Sequence, residues 1–211
     1  MKNRFSAKVV LLTLIAGVIL GYSAKWFIGP RNPWVLLAHL IESGKELAIV
    51  ERRHTESQYV YTAFINAVDN EHIGHANVFF VSNDPDLRNK TGLYGYSHQG
   101  AYTLEDVRLK RSVPGVLERE ELGRFDKLTN HYQVLVRMDR GEYEKALALR
   151  DKWEASPGMY VIEDHDCVTF VMAIAECIGL EVPPRMTTSN TPKLYLKSLF
   201  LRNGVHPQSP K

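Results

Sequence analysis

The pattern of apolar and polar positions changes period several times along the chain. From Asp164 to Gly179 the sequence reads DHDCVTFVMAIAECIG, with apolar residues at Phe170, Val171, Ile174, Ala175 and Ile178. That three-four spacing predicts a helix with one buried face. Asp164 or Asp166 can cap its start with a side-chain oxygen, and Gly179 can stop it. Tyr132, Val134, Val136 and Met138 alternate with Gln133, Leu135 and Arg137, the period of a strand. His75 to Val81 is rich in β-branched and aromatic residues and predicts another strand. The cluster Ser82-Asn83-Asp84-Pro85-Asp86 predicts a turn, Gly92 to Ser97 a returning strand, and Gln99-Gly100 its close.

The remaining segments are less regular. Asn32 as cap with Pro33 in the first turn opens a helix through Trp34, Leu36, Leu37, Leu40 and Ile41, broken at Ser43-Gly44. Glu46 to Val68, with Val60, Phe64, Ile65 and Val68, reads as mostly helical. Asp106 to Val113 reads as a third strand, and Pro114 to Leu128 as a loop or short helix. Asp139 with Glu142 three residues on predicts a capping box for a helix over 141–155. A last helix is expected from Pro192 to about Leu201. The expected fold class is therefore α+β, an antiparallel sheet packed against a cysteine-bearing helix. Four regions are expected: 1–30 as an N-terminal address, 31–72 as a helical segment, 73–202 as the main domain and 203–211 as a flexible tail.

The address carries its own signal. Lys2, Arg4 and Lys8 precede an uncharged run from Val9 to Ala24, followed by Lys25 and Trp26. A positive start keeps the N-terminus in the cytoplasm and exports the rest of the chain. A single transmembrane anchor, with Lys25 snorkelling and Trp26 at the interface, is preferred over a cleaved signal peptide. Cleavage after Ala24 would need a small residue at position 22, where Tyr22 stands. The expected location is the inner membrane with the domain on the periplasmic side, the alternative a secreted chain. Among 211 residues, 45% are hydrophobic and 24% charged, which suits a folded domain. The net charge of +2, with no basic stripe, argues against nucleic acid as a partner.

The chain has two cysteines, Cys167 and Cys177, both on the predicted helix. Ten residues of helix span about 15 Å, beyond the reach of a disulfide. Cys167 lies in the first turn, where the helix dipole favours thiolate, whereas Cys177 fits a buried thiol. A small buried hydrophobe is the other reading of Cys167. A nucleophilic thiol needs an imidazole as base and a third group to orient that imidazole. Of eight histidines, His75 opens a strand and His98 closes the next, so an antiparallel hairpin makes them neighbours. His39, His54, His72, His165 and His206 have no such placement. The candidate set is Cys167 as nucleophile, His75 as general base and His98 as orienting residue. The Cys167 backbone N–H is a candidate oxyanion donor, with Tyr160 as a second. A metal site is not expected, because Asp164, His165, Asp166 and Cys167 are adjacent rather than spaced as ligands. No cofactor is expected.

These residues carry a family resemblance. Asp166-Cys167-Val168-Thr169-Phe170-Val171, then Gly179-Leu180-Glu181-Val182-Pro183-Pro184-Arg185 and Asn190, resemble the cysteine helix and adjoining segment of NlpC-type papain-like cysteine peptidases. His75-Ala76-Asn77-Val78-Phe79 and Tyr96-Ser97-His98-Gln99-Gly100 are similar to that family's histidine strands. Val168-Thr169 stands where the family has Ser-Gly, and the histidine hairpin precedes the cysteine helix. The resemblance is therefore to the circularly permuted branch. It implies a permuted papain-like fold and a thiol hydrolase that cleaves amide bonds, with peptidoglycan stem peptides as the substrate class. The same branch includes enzymes acting on lipids, so acyl hydrolysis or transfer is the alternative. A catalytically inactive, membrane-tethered interaction module is a third. No protein partner is implied.

Overall fold

A computed structural model describes residues 33–69, 74–120, 129–186 and 191–204. The N-terminal address, His72, Asn190, His206 and the end of the tail lie outside these residues. In chain order the elements are α1 (Pro33–Ser43), β1 (Gly44–Glu51), β2 (Tyr61–Asp69), β3 (His75–Ser82), a 3-10 turn (Pro85–Lys90) and β4 (Gly92–His98). Then come α2 (Leu104–Arg108), β5 (Val113–Glu120), β6 (Thr129–Met138), α3 (Arg140–Ala155), β7 (Met159–Tyr160), α4 (Cys167–Cys177) and α5 (Pro192–Asn203).

The strands form a seven-stranded sheet in the order β1-β6-β2-β3-β4-β5-β7. The fold is α+β, but the sheet is mixed rather than wholly antiparallel: β1 runs parallel to β6, and the other neighbours are antiparallel. Helices cover both faces. Trp34, Leu37, Leu40 and Ile41 of α1 pack on Phe64, Phe79, Val81, Leu93 and Leu135. On the opposite face α3, α4 and α5 contribute Tyr143, Leu147, Phe170, Ile174, Tyr195 and Leu199 against Ile65, Val78, Phe80, Val134 and Val136. Among the described residues, no helix is long and apolar enough to cross a membrane.

Three expected elements change type. Glu46 to Val68 is not helical: it holds β1 and β2, so among the described residues of the segment 31–72 only α1 is helical. Tyr61 to Val68 is buried at every position because helices lie on both sides of β2. A strand covered on both faces has no polar alternation, and its apolar run can imitate helical spacing. The expected strand over 106–113 does not form: a short helix, α2, ends within it at Arg108, and β5 begins only at Val113. Thr103 caps α2 and Asp106 returns the bond, a reciprocal box. The expected loop at Pro114 contains β5 instead, whose Glu118 and Arg119 face solvent. The helix after Asp139 forms, but Asp139 makes no side-chain cap. Its carboxylate instead accepts from the backbone N–H groups of His54 and Thr55.

The sheet opens at one point. The β3–β4 ladder runs from Phe80–Gly92 to Asn77–Gly95 and stops, while β4 continues beside β5 as far as His98–Gly115. His75 and Ala76 therefore lie where β3 has parted from β4. By alternation His75 belongs with Asn77 and Phe79 on the α1 face, while α4 packs on the other. The opening lets the two meet.

Candidate active site

Cys167 is the first residue of α4 and is 4% exposed. Its position is fixed by Asp166. The Asp166 carboxylate accepts from Val168 N at 3.0 Å, Thr169 N at 3.2 Å and Glu163 N at 2.8 Å. Thr169 Oγ1 accepts in turn from Asp166 N at 3.3 Å. Arg185 grips the same carboxylate with two donors, Nη1 at 2.8 Å and Nη2 at 2.6 Å. Both partners are largely buried, with side-chain exposures of 12% and 3%. This forked pair ties the Pro-Pro-Arg segment to the start of the cysteine helix. Glu163, with φ at +66°, makes the tight left-handed turn that delivers the cap.

His75 lies close enough to the Cys167 thiol for the thiol to raise the pKa of its imidazole. Its Nε2 is 2.6 Å from Glu120 Oε1 on β5. That separation makes an ion pair, although the ring N–H is not well aligned with the oxygen. Burial works against a charge on His75, but Cys167 and the Glu120 carboxylate outweigh it and push its pKa up to about 10. Asn77, two residues along β3 on the same face, donates its Nδ2 to Glu120 Oε2 at 3.1 Å. The chain of contacts is thus Asn77, Glu120, His75, Cys167.

Gly95 makes this chain possible. Glu120 must reach from β5 across β4 to β3, and Gly95 lies in between, opposite Asn77. A Cβ on Gly95 would fall far inside 3.0 Å of both Glu120 Oε1 and His75 Nε2. A glycine inside a strand commonly marks such a close approach.

His98 is not the group that holds His75. Its Nδ1 pairs with Gly100 O at 2.8 Å, and its ring stacks on Tyr102 and meets Tyr160 edge-on. The register explains why: His98 is paired with Gly115 on β5, past the point where β3 and β4 separate. Glu120 takes the place expected for His98. Its position followed from neither pattern nor spacing, because β5 reads as a charged loop. The signal that could have led there is Gly95.

Tyr160, on β7, is 8% exposed. Burial first, then the charges of Cys167 and Asp166, push its phenol well above the ordinary range, so its hydroxyl remains a proton donor. His165 stacks flat on Trp153 and bonds Tyr96 Oη and Met159 O, a packing role beside the loop. His54 is exposed near the Asp139 corner. Cys177 lies at the far end of α4, half-buried, its thiol pushed up by burial. Neither cysteine is in a disulfide. No group of three or more His, Cys, Asp or Glu able to hold a metal occurs among the described residues. The arrangement brings together a thiol at a helix start, an imidazole beside it, a carboxylate behind the imidazole and the backbone N–H of Cys167, the residues after it being bound to Asp166. Compared with known proteins, the chain matches no family model, no curated protein and no solved structure.

Proposed function

We propose that this chain is a cysteine hydrolase of the permuted papain-like kind, cleaving amide bonds in peptidoglycan stem peptides. The observation that carries the reading is Cys167 at the first position of α4, beside a His75 whose Nε2 meets Glu120. An imidazolium beside a thiol at a helix N-terminus favours thiolate. The thiolate attacks the amide carbon. His75 then passes its proton to the leaving amine, and water, deprotonated by His75, releases the acyl group from sulfur. Glu120 keeps the ring oriented and supports its charge. The Cys167 N–H and the Tyr160 hydroxyl are the donors for the oxyanion. The chemistry requires no metal or cofactor. An N-terminal anchor would keep the domain at the membrane, on the exported side, against its substrate.

The test is incubation of the full chain with muropeptides and, in parallel, with phospholipid, both read by mass spectrometry against Cys167→Ala. New amine and carboxylate ends in the muropeptides, absent with Cys167→Ala, support the proposal. Cleavage of lipid esters alone replaces the substrate class, and no Cys167-dependent product in either arm removes the hydrolase reading.

A further inference from the structure

The face of the sheet under α1 carries a row of buried amides among apolar side chains. Gln133 on β6 pairs with Asn66 on β2, Asn66 pairs with Asn77 on β3, and Asn77 pairs with Gly95 on β4, over which Glu120 lies. Gln133, Asn66 and Asn77 are each fully buried. Their neighbours on this face are Phe64, Val68, Phe79, Leu93 and Leu135. The row is built in: Gly44 clears space for the Gln133 amide, whose Nε2 donates to Leu40 O at 2.6 Å. A β-bulge interrupts the β2–β6 ladder between Asn66 and Val68. Asn66 Nδ2, Asn66 Oδ1 and Asn77 Oδ1 have no hydrogen-bond partner.

Buried amides in an apolar layer are costly unless their atoms are paired. Packing alone would put Val or Leu at 66 and 77. Asn77 has a partner that explains its presence, since its Nδ2 holds Glu120 Oε2 while Oε1 meets His75. A carboxylate with one oxygen fixed cannot swing both oxygens away from the ring. Asn66 stands directly opposite Asn77, within the reach of cross-strand side chains. No hydrogen bond joins the two amides, so Glu120 Oε2 is the contact that accounts for Asn77.

We propose that Asn77 is a positioning residue for the Cys167–His75 site, acting through Glu120. The inference rests on the hydrolase reading above but predicts something separate: the state of the thiol depends on an amide that touches neither sulfur nor imidazole. Cys167 from α4 and Glu120 from β5 are the titratable groups on His75, and Asn77 changes neither by its own charge.

The test is the rate of Cys167 alkylation by iodoacetamide from pH 5 to 10, read by mass spectrometry on the full chain, for wild type, Asn77→Leu and Asn77→Ser. Losing one hydrogen bond to a charged group should slow labelling about tenfold at pH 6. At pH 10, where the thiolate forms without help, the rates should agree within about twofold. Asn77→Ser, whose hydroxyl is too short to span to Glu120, should behave likewise if Asn77→Leu does not fold. Superimposable profiles, or an equal loss at every pH with a lowered Tm, overturn the inference and leave the hydrolase reading intact. A wild-type Cys167 that is unreactive at pH 6 overturns both.

Discussion

Gly95→Ala isolates the carboxylate–imidazole contact without altering either partner. Gly95 does not have a left-handed φ, so alanine suits the backbone there, and local preference alone predicts a gain of about 0.5 kcal/mol over glycine. The added methyl, however, falls between Glu120 Oε1 and His75 Nε2. Ordinary van der Waals separation is ~3.5 Å, so each atom must withdraw by roughly 1 Å. Their separation of 2.6 Å then grows to roughly 4 Å. At an effective dielectric of about 20 the attraction falls from ~6 to ~4 kcal/mol, a loss of ~2 to 3 kcal/mol. That corresponds to a fall in the His75 pKa of about two units from its value near 10. The assay is a histidine-ring NMR titration, with iodoacetamide labelling of Cys167 at pH 6 beside it. The His75 titration should move down by about that amount and labelling at pH 6, where the ring is still protonated, should change little, while the Tm moves by no more than a few degrees. Gly141→Ala, where nothing lies within 4 Å, is the matched control and should change neither readout. An unchanged His75 titration in folded Gly95→Ala would refute the reasoning, because the methyl cannot fit with the pair in place.

Other expectations come from neighbouring contacts. Glu120→Gln keeps the shape and removes the charge. It should lower the His75 pKa and narrow the pH range of fast labelling from its alkaline end, measured by the same titration. Arg185→Met leaves the Asp166 carboxylate buried without its cation. It should cost about 3 kcal/mol, the low end for a broken buried pair because backbone N–H groups still hold Asp166. Urea unfolding measures it, and a loss below ~1 kcal/mol would show the pair to be dispensable. Cys177→Ser should leave hydrolysis and Cys167 labelling unchanged, since Cys177 lies at the opposite end of α4 with its thiol pushed up by burial. A matched loss of activity would place the chemistry on the wrong thiol.

The local half of this site was readable from the chain. The helix of Cys167, a cap from Asp164 or Asp166 and the Gly179 stop follow from spacing and capping chemistry; the structure makes the cap Asp166 and puts Gly179 at φ +70°. His75 at the head of a strand was equally legible, because HANVFFV has no competing helical reading. What was not legible is non-local. β2 lies between α1 and the other helix layer, so its burial erased the alternation that would have shown it as a strand. Pro114 and the charges of β5 masked the strand that brings Glu120 to the site. The expectation for His98 assumed a hairpin paired to its end, but β3 and β4 part after Asn77–Gly95. No local pattern carries that separation. It is set by β4 staying with β5 while α4 enters from the other side.

The central claim is that Cys167 and His75 form a thiolate–imidazolium pair. The most direct test is the iodoacetamide reaction of the full chain at pH 6, with the labelled cysteine identified by mass spectrometry and His75→Ala beside it. The account predicts rapid modification of Cys167, little of Cys177, and loss of the Cys167 reaction in His75→Ala. Slow labelling of Cys167 that rises only near the ordinary thiol pKa of about 8.5, with or without His75, would contradict it.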